Sequence, residues 1–114
     1  MNVEAEHYAE AEINRIIQEA SFPYNRQSKG ELRFPAAAKA IHEIWADLEK
    51  KAIPDEPELI KRCIELGGIL NREIDEFLYR SGRNSFFFVD YEKFAPQFLK
   101  AFINAIAVFK KRSL

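Results

Sequence analysis

The sequence predicts an all-α fold, a single antiparallel four-helix bundle spanning residues 1–114. Three observations carry this expectation. Four glycines and five prolines are too few for a chain broken into many short strands and turns. Four segments repeat apolar residues every three or four positions, the period of a helix that buries one face. A composition of 47% hydrophobic and 31% charged residues suits one modest domain and disfavours disorder or a fibrous repeat.

The first helix is expected from Ala5 to Ala20, where Ala9, Ile13, Ile16, Ile17 and Ala20 form the stripe and the glutamates fall mostly on the other side. Its acidic first turns favour a helix N-terminus. Pro35 suits the first turn of a second helix with the stripe Ala37, Ala38, Ile41, Ile44, Trp45, Leu48 and Ala52, which Pro54 ends. Asp55, with Glu58 three residues on and Pro57 inside the first turn, announces the third helix. One continuous face is expected to hold Leu59, Ile60, Cys63, Ile64, Leu66, Gly67, Leu70, Ile74, Phe77 and Leu78, with Ser81-Gly82 as the stop. The fourth helix can begin at Asp90 as an N-cap or afresh near Pro96, since a proline deep inside a continuous helix costs about 3 kcal/mol. The link between the second and third helices is short and forces a hairpin, whereas the first connection is long enough for a crossover.

Charge and cysteine content limit the function classes. The formal charge is −1, but residues 1–57 hold 11 acids and 7 bases and residues 58–114 hold 7 acids and 10 bases, a split of −4 and +3. Neither half has the strongly basic footprint of a dedicated nucleic-acid binder. The run Lys110-Lys111-Arg112 reads as cations at a helix C-terminus. A single cysteine, Cys63, can close no internal disulfide and build no thiolate metal site, which suits a reducing cytoplasm. The acidic first segment is unlike an export or organelle-targeting peptide, so a cytoplasmic location is expected. The apolar stretch Phe98 to Phe109 is about a dozen residues, short of the roughly 20 needed to cross a bilayer, so no membrane association is expected.

Catalytic constellations are sparse. Helical bundles hold di-iron centres through inward Glu-x-x-His motifs, but only Glu4-Ala5-Glu6-His7 has that form. The other histidine, His42, has Lys39 in place of the glutamate and reads as a hydrogen-bonded or solvated boundary residue. No metal or other cofactor is expected. Small all-α nucleotide hydrolases bind Mg²⁺ through acids spaced three or four apart, a spacing matched by Glu43 with Asp47 and by Glu73 with Glu76. The helical projection turns all four outward. Cys63 sits at the centre of an apolar face, where a thiol is inert filling. Gly67-Gly68 falls inside a helix, with Gly67 facing inward, which suggests a close approach or a bend. Asn71, at the edge of the same face, reads as a register-fixing hydrogen-bond partner.

Three features exceed what a minimal bundle needs. On the last helix, Leu99, Ile103 and Ile106 lie beyond the arc centred on Phe94, Phe98, Phe102 and Phe109. The run Phe86-Phe87-Phe88-Val89 loads a connection with apolar area, either as a plug over the bundle end or as a contact strip. The segment Ser21 to Phe34 interleaves Phe22, Tyr24 and Phe34 with Arg26, Lys29 and Arg33, a mixture able to stack on bases and pair with phosphates. The expected function is that of a non-enzymatic cytoplasmic interaction or regulatory module. It would self-associate, as a homodimer or higher, or bind another protein, through Phe86, Phe87, Phe88, Leu99, Ile103 and Ile106. The alternatives are a Mg²⁺-dependent nucleotide hydrolase and a weak nucleic-acid binder using Tyr24, Arg26, Lys29 and Arg33.

Overall fold

The computed structural model describes residues 3–20, 34–80 and 89–112, with backbone alone at 77–80 and 109–112. Every regular element among the described residues is helical: α1 spans Val3–Ala20, α2 Pro35–Glu49 and α3 Glu56–Arg80, and a 3-10 turn at Tyr91–Phe94 runs straight into α4 at Ala95–Arg112. The expected stop at Ser81-Gly82, the run Phe86–Phe88 and the segment 21–33 lie outside the described residues. No helix among the described residues is long and apolar enough to cross a membrane.

α1 buries Ala5, Ala9, Ile13, Ile16 and Ile17, the expected stripe extended by one turn. Glu6 is buried in the same stripe, an exception to the glutamates expected mostly on the other side. α1 packs most extensively on α4 and more lightly on α2. α3 packs on α2, on the 3-10 turn and on α4. The core between them is Ile13, Ile17, Ile41, Leu66, Leu70, Phe98 and Phe102, each essentially without solvent exposure. Each large side chain removed from water in this way stabilises by roughly 1.5–3 kcal/mol.

The elements end differently from one another. α2 has Pro35 at its first position, but its N-cap is Phe34, which offers no side-chain acceptor. α2 also stops earlier than its stripe suggested. The Lys51 amide donates to the Leu48 carbonyl (3.2 Å) and the Ala52 amide to the Asp47 carbonyl (2.9 Å), with Lys51 at φ 60°. This is a Schellman closure with lysine in the left-handed position that glycine ordinarily takes, so Ala52 lies beyond the helix and exposed. α3 starts as expected: the Glu58 amide donates to Asp55 Oδ1 at 3.0 Å. The Glu58 carboxylate pairs with Lys61 rather than completing a reciprocal cap.

The two alternative starts of the fourth segment are both used. Asp90 caps the 3-10 turn by accepting from the Glu92 amide (3.2 Å), and the α-helix then begins with Pro96 harmlessly in its first turn. The turn presses on α3 at Gly67, where an added Cβ would stand 2.6 Å from the Tyr91 carbonyl oxygen and 2.7 Å from Glu92 Cα. Asn71 holds the same turn: its Oδ1 accepts from the Tyr91 amide at 3.0 Å and its Nδ2 donates to Asp90 at 3.4 Å. On α3 the buried arc is narrower than the projected face. Ile64, at the face's edge, is 43% exposed.

Candidate functional site

The link between α2 and α3 creates an apolar groove against α4. Once Lys51 has reversed the chain, Ile53 and Pro54 are laid beside Leu48 and Leu59, and α4 supplies Ile103, Ile106 and Ala107 as the opposite wall. The groove holds about 470 Å³, with Asp55 and Glu56 on its lip. Of the three α4 residues singled out by projection, Leu99 packs partly buried against the core. Ile103 and Ile106 remain 39% and 37% exposed. Phe86, Phe87 and Phe88 lie outside the described residues, and Val89 is half-buried against the core.

A second groove, of about 580 Å³, runs between α2 and α3. It is lined by Lys39 and Glu43 from α2 and by Arg72, Glu73 and Glu76 from α3. Glu43, Glu73 and Glu76, three of the four acids expected to point outward, therefore border one open groove between the two helices. These acids do not form a metal site. Glu73 Oε1 accepts from the Ala36 amide (2.9 Å) and Oε2 from the Ala37 amide (3.1 Å), so this carboxylate serves as the missing cap of α2. Asp47 Oδ2 is held by Arg62 Nη1 at 2.7 Å. No three His, Cys, Asp or Glu side chains among the described residues are grouped closely enough to hold a metal ion.

His42 and Cys63 take structural roles. His42 Nδ1 stands 2.5 Å from Glu6 Oε1, joining α2 to α1, while His7 is exposed. The Glu6 side chain is only 12% exposed against 57% for His42, so the imidazole covers and partners an otherwise buried carboxylate. Trp45 Nε1 donates to Glu49 Oε1 at 2.7 Å. Cys63 is fully buried, and that burial pushes its thiol up to about 12, with the Arg62 charge acting weakly the other way. Such a thiol is no nucleophile at neutral pH. Tyr24, Arg26, Lys29 and Arg33, the candidate nucleic-acid contacts, lie outside the described residues.

Sequence reasoning missed Glu6, the capping by Glu73 and the Leu48–Ile53–Leu59 wall. Glu6 was within reach: it stands seven residues before Ile13 and three before Ala9, squarely in the α1 stripe. Glu73 gave no local signal beyond a non-capping phenylalanine in front of Pro35, 38 residues away. Comparison of the chain with known protein families, with curated proteins and with solved structures finds no match.

Proposed function

We propose that this chain is a helical interaction module, acting in the cytoplasm without catalysing a reaction, that self-associates through the outer flank of α4. An antiparallel four-helix bundle is the scaffold this reading assumes. The observation that carries it is the pair Ile103 and Ile106, left 39% and 37% exposed beside a groove walled by Leu48, Ile53 and Leu59. Two branched side chains and an apolar trough side by side make a larger hydrophobic patch than scattered surface residues do, and its burial is the simplest source of association energy. Leu99, which faces the core, serves this surface only as a support.

Sedimentation velocity over a concentration series tests the reading. The unaltered chain is expected to increase in mean mass with concentration, and Ile103→Glu or Ile106→Glu to abolish the increase while leaving helical content unchanged. A strictly monomeric chain at the highest concentrations, or association unaffected by both substitutions, would overturn it.

A further inference from the structure

We infer that the partner on this surface is a second copy of the chain, docked about a two-fold axis with its α4 antiparallel to the first and Lys100 of each copy meeting Glu56 of the other. This rests on the reading of α4 as a self-association surface and specifies its register. Two exposed charges carry it. Lys100 and Glu56 are both exposed, and neither forms an ion pair among the described residues. Asp55, the other acid on the groove lip, is already committed to the Glu58 amide.

The register follows from helix geometry. α3 runs back along α4, since Gly67 touches the 3-10 turn that precedes α4 while Leu59 shares the groove with Ile103 and Ile106. Glu56, three residues before Leu59, is therefore displaced by about 4.5 Å towards the C-terminal end of α4. Lys100, three residues before Ile103, is displaced by about 4.5 Å towards the N-terminal end. A two-fold axis passing between Ile103 and Ile106 sets the Ile103 of one copy on the Ile106 of the other. The same axis exchanges the two ends of α4, which brings Lys100 level with the second copy's Glu56. The contact occurs twice, as isologous symmetry requires. The apolar centre is only a few side chains wide, well under the roughly 800 Å² per partner of a tight complex, so association in the micromolar range or weaker is expected.

Charge exchange tests the pairing. Lys100→Glu and Glu56→Lys are made separately in the full chain, and self-association is followed by sedimentation at low salt, where an exposed pair is least screened. Each variant alone sets like charges against each other at both contacts and is expected to associate at least fivefold more weakly. An equimolar mixture of the two has opposite charges at both contacts, and its mixed dimer is expected to regain the strength of the unaltered chain. An intramolecular pair could not produce that recovery. If the unaltered chain associates but the single variants do so equally well, or if mixing restores nothing, this register is wrong while self-association stands. If the unaltered chain is monomeric throughout, both fall together.

Discussion

Gly67 of α3 lies against Tyr91 of the 3-10 turn so closely that a single added methyl group would stand 2.6 Å from the Tyr91 carbonyl oxygen. The obstacle is backbone on both Tyr91 and Glu92, which cannot swing aside as a flexible side chain can. Gly67→Ala is therefore expected to destabilise the fold by about 1–3 kcal/mol, despite the better helix propensity of alanine. Gly68→Ala is the matched control, because its Cβ would meet only the tip of Glu92, at 3.5 Å. That variant should gain about 0.5–1 kcal/mol. Urea denaturation of both reads the contrast, and equal shifts would contradict the close approach.

Removing the α2 cap from a distance should weaken α2 at its first turn. Glu73→Ala leaves the Ala36 and Ala37 amides without their acceptor and is expected to cost about 1 kcal/mol, the range of an N-cap deletion. Glu73→Gln keeps one oxygen and should cost less. Amide hydrogen exchange at Ala36 and Ala37 would accelerate in the alanine variant; unchanged exchange there would show that Glu73 is dispensable.

The Glu6–His42 pair predicts a marked asymmetry between single and double substitution. His42→Ala strands a nearly buried carboxylate and should cost about 1–3 kcal/mol. Replacing both residues, as Glu6→Leu with His42→Ala, should recover much of that loss, since no buried charge then lacks a partner. Additive losses in the four-membered mutant cycle would mean that the two side chains do not interact.

Cys63 makes stability fall in alkali. The folded thiol is pushed up to about 12, whereas an unfolded cysteine titrates near 8.5. Above that lower value the unfolded chain releases a proton that the folded chain keeps, so the contribution is complete below about pH 8.5 and is lost as pH rises towards 12. The slope is on the order of 1.4 kcal/mol per pH unit. Cys63→Ala should flatten it, as read by urea midpoints between pH 8 and 10.5. In the native protein at pH 8, a thiol reagent should label Cys63 only as fast as the fold opens; rapid labelling would refute the burial.

What could be read from the sequence is what neighbours in sequence decide. The Asp55 cap, Pro35 at a first turn, the inward Gly67 and the register-fixing Asn71 all rest on residues a few positions apart or on one helix face. Ile103 and Ile106 were visible in the same way, because an over-wide apolar arc is a property of α4 alone. The rest depends on contacts across the chain. Nothing near Glu73 says that it will cap a helix 36 residues earlier, and nothing near Lys51 marks it for a left-handed turn that glycine usually makes. The groove wall was hidden for the same reason: Ile53 reads as a link residue until the reversal at Lys51 turns it towards Leu59 and α4.

The packing of α1 chiefly on α4 has a consequence for how the chain is made. α1 emerges before the other three described helices, with Ile13, Ile16 and Ile17 ready for burial, yet its main partner is the one of them farthest along in sequence. α2 and α3 can form their hairpin early, because a short link joins them. α1 must wait, through every intervening residue, for α4. An interrupted product lacking α4 would carry an uncovered isoleucine ridge, which is the kind of surface that chaperones hold and proteases find.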